Sequence, residues 1–378
     1  MIDRVINTLE SNRARKLNGD LIAIPWSLPR LSRVLPGVRQ KHYTIISSQS
    51  KGAKSQIANF LYMFEPIEWY LRNRNSTNIS LKIFLFSLEI SRDLVVIQAI
   101  SYKLFKTFGV IISPDNLQSI YADYTLDEKI LAYIKSPEMQ IWLKEFESIV
   151  EIIDDVRHGL GIMKIVQAYA EANGHYEYKD MMFRNDDGTQ SMKKVIDRYI
   201  PDRPDEYVIV MVDHIGLIEK SANHANIYDA IGELSSRHFL KMRDRFGYQI
   251  VAVQQQSADS TDAQYTVRGD IVIDKLKSTP EGLALNKSTK NDCNLMISLF
   301  WPYMYKIQQY GGASGKDWDM ARIGNNYREF NINLNRNGIS SASIDLMFLG
   351  ACNYFAELPR EPNERVYQQI ADYNRNTI

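Results

Sequence analysis

Five short apolar runs, most of them followed by a stretch with helical periodicity, constrain this chain more than any other feature. A run at 42–47 precedes a helical stretch over about residues 54–72, and Leu-Lys-Ile-Phe-Leu-Phe-Ser at 81–87 precedes another over about 91–107. Glu151-Ile152-Ile153 forms a short run before helical residues 159–173. The run 207–212 leads to helical residues 224–246, and 248–253 follows directly. Strands that are apolar without alternation are buried on both faces, and the helices between them supply the crossovers a parallel sheet requires. The fold class is therefore α/β, a mainly parallel sheet flanked by helices. After about residue 258 the pattern changes to polar loops with strands at 294–300, 328–334 and 343–348, expected as an antiparallel extension of the same sheet.

The length of 378 residues suits one large α/β domain with additions. Residues 1–20 are expected as a linker-like helix, with Val5, Ile6, Leu9 and Leu17 loosely on one side; it either docks on a neighbour or packs on its own domain. Residues 21–358 form the core, with an insertion at 174–205 marked by Asn185-Asp186-Asp187-Gly188 and Pro201-Asp202-Arg203-Pro204, and 359–378 form a C-terminal tail. No run of 18 apolar residues and no signal peptide is present, and Cys293 and Cys352 lack metal-ligand spacing, so a cytoplasmic, membrane-free protein is expected. The 45 Lys+Arg balance 45 Asp+Glu, so any nucleic-acid site must be a local stripe of cations.

The first strand runs into Ser47-Ser48-Gln49-Ser50-Lys51-Gly52-Ala53-Lys54-Ser55 and then a helix, the context of a phosphate-binding loop. In that context backbone N–H groups and the helix N-terminus hold phosphates, Lys54 neutralises them and Ser55 ligates Mg2+. Against the pattern G-x-x-x-x-G-K-[ST], Ser48 and Ala53 stand where glycines belong, and a glycine sits at 52 instead. Three further strands end in polar groups: Glu89 after 81–87, Asp213 after 207–212, and Gln254-Gln255-Gln256 after 248–253. At a carboxyl edge a carboxylate can activate water, hold Mg2+ through water or, for an amide, sense a phosphate. Arg336 lies in Leu334-Asn335-Arg336-Asn337-Gly338, a turn after a strand. Taken singly, each motif has an ordinary reading as a capped turn or solvated terminus.

Their order carries a resemblance. Residues from about 20 to 355 resemble the C-terminal RecA-like domain of DnaB-type (superfamily 4) replicative helicases. Ser87-Leu88-Glu89 is similar to the family's Ser-Leu-Glu-Met. Asp213-His214-Ile215-Gly216-Leu217-Ile218 is similar to its Asp-Tyr-Leu-Gln-Leu-Ile, Val251 to Gln255 to the strand ending in Ser-Gln, and Asn335-Arg336-Asn337-Gly338 to its Lys-x-Arg-x-Gly turn. The resemblance implies a RecA-like P-loop NTPase that binds ATP and Mg2+ through Ser50, Lys51, Gly52, Ala53, Lys54 and Ser55. It implies Glu89 as base, Asp213 as the second Mg2+ ligand, Gln255 as sensor and Arg336 as a finger reaching a neighbouring subunit. Ala53, Leu334 in place of a lysine, His214 and Gly216 depart from the family pattern, and the family's N-terminal collar domain has no counterpart.

The implied function is an ATP-dependent translocase on single-stranded DNA, self-associated as a hexameric ring. By the resemblance its DNA loops are 220–226 and 257–291. The second holds Arg268, Lys275, Lys277, Lys287 and Lys290, diluted by Asp259, Asp262, Asp270 and Asp274. The alternative is a catalytically degenerate P-loop protein, possibly phage-encoded, with a structural or replication-accessory role.

Overall fold

The apolar runs are strands in the computed structural model, which describes residues 2–184, 188–257, 262, 271–312 and 315–378. They are β1 (His42–Ser48), β2 (Ser80–Ser87), β3 (Val150–Ile153), the pair β4 (Gly174–Arg184) and β5 (Gln190–Pro201), β6 (Glu206–Asp213), β7 (Gln249–Gln255), β8 (Leu295–Phe300), β9 (Tyr327–Asn335), β10 (Ser343–Leu349) and β11 (Tyr354–Glu357). Among the described residues nine of them form one sheet, ordered β11-β10-β9-β8-β1-β7-β6-β2-β3. The strands from β3 to β8 in that order are parallel, and β9, β10 and β11 are antiparallel. The antiparallel extension thus starts one strand later than expected. β8 is parallel to β1 because the long link from β7 returns to the amino edge through short 3-10 turns, which leave no helical periodicity to read.

Each central strand serves two layers. Ile83 and Leu85 of β2 join one hydrophobic cluster with Ile46, Phe60 and Phe64, while Phe84 and Phe86 join the opposite one with Ile45, Val210 and Phe239. The helices that cover these faces follow the strands: α1 (Ile2–Leu17) stands before them, α2 follows β1, α3 (Arg92–Phe108) follows β2, α4 (Pro137–Ile149) precedes β3 and α5 (Gly159–Ala172) follows it. The helix α2 runs as Lys54–Asn59, a π turn at Phe60–Phe64, and Glu65–Asn73. Pro66 has no N–H to donate into the preceding turn; the widened turn accommodates it, and Trp26 Nε1 donates to the Leu61 carbonyl at 2.8 Å. Helical residues expected from 224 begin later, at α6 (Ile227–Glu233), because the Asn226 side chain caps it by accepting from Asp229 N. The helix continues through π turns at Leu234–Phe239 and Met242–Phe246 and stops at Gly247, φ 84°.

Residues 174–201 form an antiparallel hairpin. Its root is anchored where the Tyr199 hydroxyl donates to Ala170 O at 2.8 Å and its ring packs against Tyr176 and Phe246. Beyond a bulge at Glu177/Tyr178, Tyr178, Met181, Met182 and Met192 are exposed. The Asn185–Asp187 part of the expected turn lies outside the described residues. Residues after 358 carry α7 (Glu364–Arg375), whose Tyr367 and Ile370 are buried against Trp318, Met347 and Leu349. None of the described side chains of α1 is buried, and Arg15 ties the helix to Asp205 at 2.7 Å. Cys293 and Cys352 are free and buried. Among the described residues no helix is long and apolar enough to cross a membrane.

Candidate active site

Because β1, β2, β6 and β7 are parallel neighbours, their carboxyl ends open on one edge. Register pairs Ser48 with Gln255 and Ser87 with Asp213. Leu88 N–H donates to Asp213 O at 2.7 Å, which sets Glu89 one residue beyond that bridge. Four separate sequence motifs therefore meet where the sheet ends.

The loop after β1 is held by its own backbone. Gly52 N–H donates to Gln49 O at 3.1 Å and Ser48 Oγ donates to the same carbonyl at 2.8 Å. A Cβ on Gly52 would lie 2.6 Å from Ser48 Oγ and 3.0 Å from Gln49 O, so the displaced glycine is required by close approach. Ala53 adopts φ 74°, ψ 29° and Lys51 φ 62°, both left-handed. The left-handed turn ahead of the lysine is thus kept without a glycine, at a cost of about 1–2 kcal/mol. Ser50 and Lys51 are exposed, Gly52, Ala53 and Lys54 are buried, and Ser55 is half-buried. The Gln49 amide is buried with no hydrogen-bond partner, an open cost inside the loop.

Ser55 Oγ donates to Asp213 Oδ1 at 3.1 Å, joining the start of α2 to the end of β6. Burial pushes the Asp213 carboxyl up to about 6 and the Glu89 charge adds to the rise, while the Ser55 hydrogen bond and Lys54 oppose it. Burial and then Lys54 hold the His214 imidazole below its ordinary value, against the pull of Glu89, so it is neutral at pH 7. Its Nδ1 accepts from Gly216 N at 3.2 Å and its Nε2 lies 4.0 Å from Glu89 Oε2. Glu89 is half exposed at the mouth of this edge.

Of the three glutamines ending β7, two are fixed to the following segment. Gln254 Nε2 donates to Ala284 O and Asn286 O, and Gln256 Nε2 donates to Ser47 Oγ at 2.8 Å and to Thr279 O. Gln255, beside Ser48, is half-buried, and its side chain has no hydrogen-bond partner among the described residues. Arg336 is elsewhere. Its N–H donates to Asn294 O and its side chain to Cys293 O and Asn291 O, while Asn294 Oδ1 accepts from Tyr43 N. It therefore sits at the amino end of β1, whereas Lys54 lies past the carboxyl end. At about 3.3 Å per residue the seven residues of β1 separate them by roughly 20 Å, so Arg336 is out of reach of its own chain's loop.

The expected DNA loops are only partly free. Arg268, Asp259 and Asp270 lie outside the described residues. Lys277 pairs with Glu329 at 3.2 Å and Lys290 with Glu281 at 2.9 Å, leaving Lys220, Lys275 and Lys287 exposed. The segment 271–291 is not a loose loop: Leu276, Leu283 and Thr289 are buried, and Gln256 bridges Leu283. Sequence reasoning recorded His214 and Gly216 only as departures and missed that both face Glu89's side of the edge; the signal was their position directly after Asp213.

The edge fits a nucleotide triphosphate with Mg2+. Gly52 leaves a space that a Cβ would fill, and Ser55 and Asp213 offer two hard oxygen ligands. Among the described residues no group of three or more His, Cys, Asp or Glu could cage a metal, so a cation here must draw further ligands from phosphate and water. No protein-family model matches this chain, and no curated protein matches it. Solved structures do. The ATPase domain of one DnaB-like helicase superimposes with a TM-score of 0.60 at 15% identity, covering 95% of this chain and 99% of that one. A DnaB-like replicative helicase, solved in connection with its interactions with primase, gives a TM-score of 0.62 at 15% identity, over 95% of this chain and 67% of its own. The fold is that of RecA-like helicase ATPase domains.

Proposed function

We propose that this chain is an ATP-hydrolysing motor domain of the DnaB type, acting on single-stranded DNA as a hexameric ring. The observation that carries the reading is the Ser55–Asp213 hydrogen bond, which couples the lysine-bearing loop to the strand-end carboxylate beside Glu89. Loop N–H groups and Lys54 bind the phosphates, and Ser55 and Asp213 are the residues that would hold Mg2+, which when bound offsets charge on the phosphates. Glu89 accepts a proton from the attacking water, and Gln255, next to Ser48 and uncommitted, is suited to register the terminal phosphate. Arg336, distant from its own loop, serves the site of an adjacent copy. The exposed apolar side chains of α1, Ile2, Val5, Ile6, Leu9 and Leu17, favour its docking on such a copy. Lys220, Lys275 and Lys287 are the described cations available to a DNA backbone.

The test is hydrolysis at saturating Mg-ATP with and without single-stranded DNA. Turnover stimulated by DNA and reduced at least about 100-fold in Lys54→Ala is expected; no turnover, with Lys54→Ala indistinguishable from the parent chain, sinks the motor reading. One observation favours the second reading, a catalytically degenerate structural or replication-accessory protein. Leu334, where the family carries a lysine, packs against the core and adds no cation beside Arg336. Calorimetry separates the two, because a purely structural protein binds neither ATP nor ADP with Mg2+.

A further inference from the structure

We infer that His214 is a positioning residue for Glu89, its imidazole held by the chain's own backbone in the tautomer that presents an N–H to the Glu89 carboxylate. For its catalytic consequence this rests on the reading of the edge as an ATP-hydrolysing site; the tautomer itself does not. Gly216 N–H donates to Nδ1 at 3.2 Å, so Nδ1 is an acceptor and the ring proton is on Nε2. That nitrogen lies 4.0 Å from Glu89 Oε2, and no other side chain pairs with Glu89 among the described residues. A half-exposed glutamate has several rotamers of similar energy, and a general base must be held within hydrogen-bond reach of its water. A small side-chain movement of Glu89 shortens the gap to a hydrogen bond, as expected for a site that tightens around its substrate.

A second observation joins two departures from the family pattern into one device. A Cβ on residue 216 would lie 3.0 Å from His214 Nδ1, 3.1 Å from its Cε1 and 3.2 Å from Leu285 Cδ1. A side chain at 216 would therefore crowd the ring and disturb the backbone donor that sets the tautomer. A histidine at 214 and a glycine at 216 are required together. Because Nε2 only donates, the contact orients the carboxylate and leaves its other oxygen to receive the proton from water.

The experiment has two arms. In ligand-free protein labelled with 15N-histidine, the His214 resonance, assigned by its loss in His214→Asn, is expected to show the proton on Nε2; a proton on Nδ1 overturns the inference whatever the enzyme does. In the kinetic arm, His214→Asn keeps an acceptor at the height of Nδ1 but has no donor reaching Glu89, and its kcat is expected to fall about tenfold or more with KM and melting temperature unchanged. His214→Gln, with an amide N–H at the height of Nε2, restores kcat to within about threefold of the parent chain. A His214→Asn protein that turns over like the parent also overturns the inference. If the parent chain hydrolyses no ATP, the motor reading fails by itself and the tautomer arm still decides the geometry.

Discussion

Ala53 carries a Cβ in the left-handed region, a conformation that penalises every residue but glycine and, to a lesser degree, asparagine and aspartate. Ala53→Gly is expected to raise stability by about 0.5–1 kcal/mol, the relief of strain outweighing the added freedom of the unfolded chain, as read by urea unfolding. Gly52→Ala has the opposite character. Its Cβ meets Ser48 and Gln49, so the loop must open, and Mg-ATP affinity measured by calorimetry should drop by at least about tenfold while the melting temperature changes little. The core histidine His42 tests electrostatics away from the site. It is buried, its Nε2 lies 2.5 Å from an Arg39 nitrogen, and burial, then Arg39 and Arg243, push it down to about 3. The unfolded residue takes up its proton near 6.5, the folded one only near 3. Its contribution to stability is therefore complete above pH 6.5 and lost progressively as pH falls from there toward 3, by up to about 1.4 kcal/mol per pH unit. His214 and His238 are shifted in the same direction, so the measurement is the difference between parent and His42→Gln in urea unfolding at pH 7.5, 6 and 5. A difference that stays constant across these values rules the account out.

At the scale of elements, the hairpin β4–β5 and the helix α7 contrast. Past its root the hairpin packs on nothing within the chain, so replacing residues 178–196 with a short turn should move the melting temperature by only a few degrees. Tyr199→Ala at the root should cost about 3 kcal/mol, since it removes a buried ring and leaves Ala170 O without its donor. Ile370→Ala, inside the cluster under β10, is expected to cost about 2–4 kcal/mol. These elements also show what could be read in advance. The strands β1, β2, β6 and β7 were legible because burial on both faces writes itself as an uninterrupted apolar run. The hairpin was not, because its exposed strands alternate charged and apolar residues without a buried face to order them. The π turn of α2 and the parallel direction of β8 escaped for a related reason: both depend on where the chain packs, not on local periodicity.

For the whole molecule, the roughly 20 Å between Lys54 and Arg336 predicts complementation. Chains carrying Lys54→Ala and chains carrying Arg336→Lys should each be nearly inactive, and mixing them should regain a fraction of the turnover that depends on the mixing ratio; no regain at any ratio would exclude a shared site. The loop and the strand-end carboxylates were legible because parallel topology brings every strand terminus to one edge. Arg336 and Gln255 were legible only through the resemblance, and the joint requirement of His214 and Gly216 needed the backbone geometry. The sheet's two borders have a further bearing on assembly. β3 and β11 are four residues each, β3 with Glu151 paired to Lys82 at 3.0 Å, β11 with Glu357 gripped by Arg30 and followed by Pro359. Such stubs offer too little open backbone for another strand to add to. Copies of this chain must therefore meet through helices and loops, and their association should proceed without any gain in the infrared signal of intermolecular β-structure.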